Sequence, residues 1–407
     1  MKPLRLIVAG VVAISLVWGQ TPYNAFQYGI VMDQLDGATV SHGQGGLTPS
    51  HRHDFSLSNP ATWVHAGFAL LSGHYRGGDV AIPGPGFRSS YGHLSYAAFI
   101  LPIKGRWAFG LGVRPYSRKT FLLQDDAVSP VIFSGDTLSF TKTMEGSGGI
   151  SVLLAGGSWK INDRFSLGLR WDFLTGVFDE DVTGELAQVF ATYRRHFRVR
   201  GTLASIFVRS LLFAEPFPTT GYGLVQFPVG RREIKETDYF PYLPVTFRKT
   251  LSGPVHRLSL PVQLAGGVAS RVSGHLWASM EIHTFRIASD RSGQVSSLGG
   301  QPADGFRVSV GLLKNADRTS ESLPGRLHYR IGFFEREHYI SRRGDALHER
   351  GVGFGIGIPF GPTENQIDVA FRFSSRRGFL SDDRESLRDI TVGLTLGDVW
   401  LVKARRR

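Results

Sequence analysis

The chain of 407 residues has no cysteine, no long apolar run after Gly19, and no helical periodicity strong enough to cover a sheet. The absence of cysteine excludes disulfides, thiol catalysis and cysteine-ligated metal sites. The absence of a long apolar run predicts that no transmembrane helix follows residue 19. What remains is a chain rich in glycine and phenylalanine, with 50 Gly, 29 Phe and 20 Pro. This composition suits many strands joined by turns, and a β-barrel of this length can form a single domain.

Positive charge exceeds negative charge, with 46 Lys and Arg against 34 Asp and Glu and a formal net charge of +12. Such an excess is common in proteins that bind nucleic acid. Here the cations are scattered in pairs through predicted loops, and the N-terminus indicates export. We therefore predict no nucleic-acid partner. Contact with anionic lipid headgroups and simple solvation of loops both remain open for these residues.

The first 19 residues are typical of a secretory signal peptide. Lys2 and Arg5 form a basic start, residues 6–17 form an apolar run too short to span a bilayer, and cleavage is predicted near Gln20. Residues 20–62 are polar and glycine-rich and are predicted to form an N-terminal hatch, or plug. Residues 63–407 are predicted to form a transmembrane barrel, with a first strand that begins near Val64.

Alternation with period two recurs along the chain and is the main signal of its fold. Apolar side chains alternate with small or charged ones in the segments 107–114, 165–173, 327–333, 352–358, 367–373 and 390–397. A soluble sandwich also alternates, but here the second face is either very small or charged. A transmembrane barrel needs an apolar face toward lipid and a polar or small face toward the lumen. We therefore predict an all-β, antiparallel transmembrane barrel with an N-terminal plug.

The connections between predicted strands alternate between long and short, as in outer-membrane barrels. Long loops are predicted at 117–145, 175–199 and 231–254, and tight turns near Gly105, Asn162, Gly274 and Gly361. Counting in this way gives about 14 strands, with 12 or 16 as alternatives. Aromatic residues near the predicted strand ends would form interfacial girdles, among them Trp63, Trp107, Trp171, Trp277, Trp400, Tyr75, Tyr91 and Tyr339.

Three short motifs give the chain a resemblance to a known family. They are Ser58-Asn59-Pro60-Ala61 before the first predicted strand, the run 109–115 (FGLGVRP), and the run 393–400 (GLTLGDVW). With these motifs the chain resembles the FadL-type outer-membrane transporters of hydrophobic compounds over most of residues 20–405. The sequence departs from many outer-membrane barrels at its end, where Ala404 to Arg407 replace a strand with a terminal phenylalanine.

The resemblance implies a plugged barrel of about 14 strands from which the substrate leaves sideways where one strand kinks inward. Proline and glycine on a strand favour ends, bends and bulges. We therefore predict that Gly110, Gly112 and Pro115 shape a lateral exit, gated by contact with the segment Asn59-Pro60-Ala61. The alternative is that Pro115 ends its strand at the membrane surface.

Mixed charges on the predicted lumen face would hold the hatch, because an unpaired buried charge is costly. The predicted lumen network comprises Arg114, Arg170, Asp172, Glu281, His283, Arg307, Arg330, Asp368 and Arg372. We find no convincing catalytic set and predict no enzymatic activity and no cofactor. A metal site at residues 51–54 (HRHD) is disfavoured, since metal sites usually need three or four converging ligands.

The sequence thus predicts a channel or transporter in the cell outer membrane for hydrophobic small molecules such as long-chain fatty acids, with lateral release into the membrane. The predicted partners are a hydrophobic ligand and membrane lipids, and the predicted oligomeric state is a monomer. The alternative is a non-transporting barrel that acts as a binding or secretion-accessory partner, as PorV-like relatives of the same broad group do.

Overall fold

A computed structural model describes residues 21–32, 35–51, 54–82, 87–103, 105–133, 136–186, 189–240, 249–287, 298–361, 363–379 and 381–398. The predicted signal peptide, Trp400 and the C-terminal arginines lie outside these residues. The described residues are mostly β-strand.

Fourteen long strands form the wall. In chain order β1 to β14 are Ala69–Ile82, Phe87–Ile103, Trp107–Arg118, Asp136–Lys160, Phe165–Leu186, Val189–Phe213, Thr219–Pro228, Val262–Ser273, Leu276–Arg286, Gly305–Lys314, His328–Arg342, Asp345–Phe360, Asn365–Gly378 and Ser381–Asp398. Each pairs antiparallel with the next, for example β4 with β5 from Phe140↔Leu186 to Lys160↔Ser166. The last strand pairs with the first from Ser386↔Ala81 to Asp398↔Ala69 and closes the barrel. The predicted 14-stranded antiparallel barrel is confirmed.

Several segments predicted as loops are strands instead. Phe121–Phe133 pairs with the upper part of β4, and the hairpin Glu233–Phe240 with Lys249–Arg257 pairs with the upper part of β6. The loops predicted at 117–145, 175–199 and 231–254 were therefore wrong over the residues that the structure describes. The wall there extends beyond the apolar belt, so the lipid-facing pattern that marks a spanning strand no longer applies. Short strands at Ile30–Val31 and Gln301–Pro302 complete the sheet.

The outer face of the wall is apolar, and large exposed side chains occur on every strand of the belt, such as Phe109, Trp171, Ile282 and Leu394. The inward side chains between them are buried, and many of them are polar or charged. Apolar side chains outside and polar side chains inside are the reverse of a soluble protein. A barrel with lipid around it and a polar lumen requires this arrangement. The chain is thus a transmembrane β-barrel of the outer membrane. The end that carries the extra hairpins is the extracellular end, since the longer connections of such barrels face outward.

The N-terminal segment, residues 21–66, is almost wholly buried against the inward side chains of the wall. It contains three short helices: the 3₁₀-helices Pro22–Ala25 and Pro60–His65 and the α-helix Gly37–Ser41. A third 3₁₀-helix, Leu323–Arg326, lies between β10 and β11. Among the described residues no helix has the length and apolar character needed to cross a membrane.

The first strand begins later than the sequence indicated. Asn59 caps the helix Pro60–His65 by accepting a hydrogen bond from the Ala61 N–H, and Pro60 occupies a first-turn position, where its missing N–H is not needed. The alternation that began at Val64 was therefore misread, and β1 starts at Ala69. Trp63 and Tyr339, predicted at the membrane interfaces, are both buried inside the barrel.

Candidate functional site

The wall is incomplete on the extracellular side of the junction between β2 and β3. These two strands pair from Ile103↔Trp107 only as far as Ala97↔Val113. Beyond that point β2 continues along β1 to Ile82↔Phe87, whereas β3 continues along β4 to Arg118↔Gly149. The described residues of the two strands therefore diverge after Val113 and leave a gap in the wall.

The N-terminal segment takes over the edge of β3 that β2 leaves. Ile30 and Val31 pair antiparallel with Arg118 and Ser117, and the Met32 N–H donates to the Tyr116 carbonyl at 2.9 Å. Backbone groups at an open edge need partners, and here the internal segment supplies them. The extracellular end of β3 is thus bound to the segment inside the barrel, rather than to the next strand of the wall.

A cavity of about 650 Å³ occupies the gap. Gly92, His93 and Leu94 line one side, and residues 113–115, 117–118, 120 and 148–151 line the opposite side. Leu94 is exposed on the outer face, whereas His93 is buried. Neither ring nitrogen of His93 has a hydrogen-bond partner among the described residues. The gap therefore presents both an apolar rim and an unsatisfied polar side chain.

Two of the three predicted exit residues lie at or beside this gap, and the third lies below it. Pro115 lines the cavity and precedes a β-bulge, since Tyr116 is the extra residue between Pro115↔Ser151 and Ser117↔Ile150. Gly112 pairs with Ala98, one position below the last pair. Gly110 faces inward against Trp63, whose ring would lie 2.6 Å from an added Cβ.

The predicted gate residues contact a different strand from the one expected. The Ala61 carbonyl accepts a hydrogen bond from Ser166 Oγ at 2.6 Å, and a Cβ on Gly168 would lie 2.4 Å from the Ala61 nitrogen. Asn59 donates to the Leu47 carbonyl at 2.7 Å within the internal segment. The segment Asn59-Pro60-Ala61 thus packs on β5, and it is Trp63 that reaches β3. The gating role of Asn59, Pro60 and Ala61 stays a prediction.

The first group of predicted lumen residues joins two strands, β3 and β5, to the internal segment. Arg114 donates to the Asp172 carboxylate at 2.6 Å, and Arg170 forms an ion pair with the same carboxylate at 2.9 Å. Arg170 also donates to the Ser58 carbonyl at 2.8 Å and so fixes the internal segment. All three charged side chains are buried, and one carboxylate offsets two guanidinium groups.

A second group holds the loop between Gly43 and Thr48. Glu281 accepts hydrogen bonds from the Gly45 N–H at 2.6 Å and from the Thr48 N–H at 2.5 Å, and it is 2.8 Å from His283 Nε2. Arg307 donates to the carbonyls of Gly43 and Gln44 at 2.8 and 3.0 Å. An acidic and a basic side chain on neighbouring strands therefore bind donors and acceptors of the same loop.

The third group includes residues that the sequence did not single out. Arg330 donates to the Ser50 carbonyl and to Asp368, at 2.8 and 2.7 Å. Arg372 donates at 2.6 Å to Glu349, which also binds Arg376 at 3.0 Å. Further charged residues of the lumen were missed, among them Arg376, Glu385, His338, Lys119 and Glu180. Extending the alternation beyond the predicted strand ends would have placed Arg376, Glu385, His338 and Glu180 inward. It would have placed Lys119 outward, because the bulge at Tyr116 reverses the pattern at the end of β3.

Burial and neighbouring charge set the protonation of the internal segment. Burial, together with the charge of Arg330, lowers the pKa of His42 to about 4, so this ring is neutral at neutral pH. Burial acts to raise the pKa of Asp36, but a hydrogen bond from His51 and the charge of that ring outweigh it, and the pKa lies well below its ordinary value. In the described residues no cluster of three His, Asp or Glu side chains could hold a metal ion.

Comparison with known proteins gives one family and several similar structures. The model of the BamG family matches residues 4–202 and 250–406. The crystal structure of a Pseudomonas aeruginosa FadL homologue is similar with a TM-score of 0.58 and 14% identity, covering 90% of this chain and 98% of that one. The Pseudomonas putida toluene transporter TodX is similar with a TM-score of 0.53 and 16% identity, covering 91% and 99%. Comparison with curated proteins gave no match. At these identities the structures show that the fold is FadL-like.

Proposed function

Taking as premise that the chain belongs to the BamG family and has a FadL-like barrel, we propose that it is an outer-membrane channel for hydrophobic small molecules such as long-chain fatty acids, with lateral release into the membrane. TodX is a toluene transporter, and the extension of a hydrophobic substrate to this chain is part of the proposal. The observation that supports this proposal best is the gap between β2 and β3.

The gap supports lateral release because its lining includes both the buried His93 and the exposed Leu94, so it would join the inside of the wall to the lipid-facing side. An apolar molecule that leaves the lumen there enters hydrocarbon and avoids water, which favours this route by about 25 cal/mol for each Å² of apolar surface. In this proposal Pro115 and the bulge at Tyr116 keep β3 apart from β2.

In the same proposal residues 21–62 act as the hatch. The contacts of Arg170, Glu281, Arg307 and Arg330 with this segment would keep it in place while a ligand passes beside it. A cavity of about 120 Å³ lies between the segment and the wall, lined by apolar residues such as Leu47 and Phe207 and by Arg114 and Arg170. This space would be the route from the extracellular side to the gap.

The absence of cysteine allows a direct test of the gap. Leu94, at the gap, and Ile282, on a distant strand, are exposed to 47% and 45% and make a matched pair for single cysteine substitution. A bulky maleimide on Leu94→Cys is expected to slow uptake of a labelled fatty acid, whereas the same label on Ile282→Cys leaves it unchanged. Equal uptake by both labelled variants, with the parent well above a barrel-free control, would contradict lateral release at this gap.

A second candidate is a non-transporting barrel that serves as a binding or secretion-accessory partner. The small volume of the luminal cavity and the dense clamps on the internal segment favour it. Parent protein that is folded in proteoliposomes and moves no labelled fatty acid or toluene above the barrel-free control would select this candidate over the channel.

A further inference from the structure

A patch of cations lies on the outer face of the wall, just beyond the extracellular rim of the apolar belt. On β5 the belt runs through Trp171 and Phe173 to Val177, all exposed. On the adjacent β6, Arg200 pairs with Thr175 and Arg198 with Val177. Two residues of a strand span about 7 Å. Both arginines are therefore at the depth where lipid headgroups meet hydrocarbon.

The hairpin beside β6 adds cations to the same face. Lys235 pairs directly with Arg198 across the ladder, and Glu233 pairs with both Arg200 and Arg257. Like charges directly opposite one another destabilise a pair of strands. An external anion between Arg198 and Lys235 would offset this repulsion and stabilise the pairing of their strands.

Two acids lie near these cations among the described residues: Glu233 within the patch, and Asp179, the next outward residue of β5 after Val177, which is 2.7 Å from His196. Glu233 is buried, 2.7 Å from Arg231 and 4.0 Å from Lys235, so its charge is already shared. The side chains of Arg231 and Lys235 remain 81% and 55% exposed. The patch therefore keeps a net positive charge that faces outward.

We propose that this patch, Arg198, Arg200, Arg231, Lys235 and Arg257, binds the phosphates of a phosphorylated glycolipid in the outer leaflet. Guanidinium groups bind phosphate through two parallel hydrogen bonds, and an ammonium group adds a point charge. The acyl chains of the same lipid would lie against the exposed side chains of Phe173, Val177 and Ile206 below the patch. Headgroup and chains are thus recognised by neighbouring surfaces of one wall.

The test is retention of purified lipid A by the full-length barrel, measured by native mass spectrometry after detergent exchange. Diphosphorylated lipid A is expected to remain bound, whereas its dephosphorylated form is lost. The variant Arg198→Ala/Arg200→Ala/Lys235→Ala should bind the phosphorylated lipid more weakly, by about fivefold for each cation removed. The milder Arg198→Lys/Arg200→Lys keeps the charge and should lose only part of the binding.

The matched control removes three exposed cations from the periplasmic end, in Arg106→Ala/Arg164→Ala/Arg271→Ala. It should retain lipid A as the parent does. Equal retention of both lipid forms by the parent would overturn the proposal, as would equal loss in the control and patch variants, or parent-like retention by the patch variant. Heat-modified migration on gels checks that every variant is folded.

Discussion

Lys119 Nζ lies 2.8 Å from a carboxylate oxygen of Glu180, and both side chains are fully buried. The same ammonium group donates to the carbonyls of Ala25 and Gln27, at 2.8 and 2.6 Å. One residue that directly follows β3 thus ties the internal segment to β5. From Glu180 a chain of ion pairs leads through Arg195 and Glu236 to His256, which lies on the extracellular hairpin.

This relationship predicts a large effect of Lys119→Met. The substitution removes the donor to two buried carbonyls and one cation partner of Glu180, so the free energy of unfolding should fall by about 3 kcal/mol. Urea titration of the heat-modifiable folded band measures this change. The double variant Lys119→Met/Glu180→Met should recover part of the loss, because it removes the uncompensated carboxylate. Parent-like midpoints for the single variant would show that the pair does not hold the segment.

The second prediction concerns Asp172, whose carboxylate offsets Arg114 and Arg170. Asp172→Asn leaves two buried guanidinium groups without that charge, and the expected loss of stability is about 3–5 kcal/mol. Asp163→Asn is the control, since Asp163 pairs with Lys160 at 2.7 Å but has a 96% exposed side chain. Exposed pairs contribute little to stability. Similar urea midpoints for the two variants would contradict the role given to the buried group.

The third prediction tests the clamp on the internal segment. Glu281→Ala removes the acceptor for the N–H groups of Gly45 and Thr48, so the loop between them should loosen. We expect faster entry of a small hydrophilic antibiotic into cells that carry the variant. Glu335→Ala, which removes an outward carboxylate two strands away on β11, should leave entry unchanged. If entry is equally slow in both folded variants, Glu281 is not needed to keep the lumen closed.

The sequence predicts the barrel well because each spanning strand must keep one face apolar. Ile356, for example, alternates with Gly355 and Gly357 and pairs with Val369 on the next strand, as the pattern indicates. The same rule identifies Arg170 and Asp172 as inward residues. The requirement for an apolar outward face no longer applies outside the lipid, where strands such as β6 continue with polar residues on both faces.

The internal segment and the gap depend on contacts between residues far apart in sequence. Trp63 fits against Gly110 and Gly156, and Ile30 pairs with Arg118. No local pattern shows such pairings. Pro115 lies on the strand whose pairing with β2 ends early, as expected where a proline withholds its N–H from a ladder, and its role at an exit stays a prediction. The partner that takes the free edge of β3 could be found only from the structure.

The last prediction separates Pro115 from Gly112 at the proposed exit. Proline lacks the N–H that a ladder needs, so Pro115→Val gives β3 one more donor beside the last pair, Ala97↔Val113. We expect β2 to compete with the internal segment for this edge and to pair further along β3, so the gap should narrow and uptake of a labelled fatty acid should fall severalfold. Pro102→Val is the control, because Pro102 already lies within the paired part of β2, opposite Ala108.

Gly112→Val is expected to act on folding rather than on the gap. Its Cβ would lie 2.7 Å from the Ala97 carbonyl oxygen and 3.2 Å from Leu154, so the wall itself must shift. The folded fraction of Gly112→Val should drop, whereas Pro115→Val should fold as the parent does and differ only in uptake. Parent-like uptake by folded Pro115→Val would mean that this proline merely ends the paired region, and that another feature holds the two strands apart.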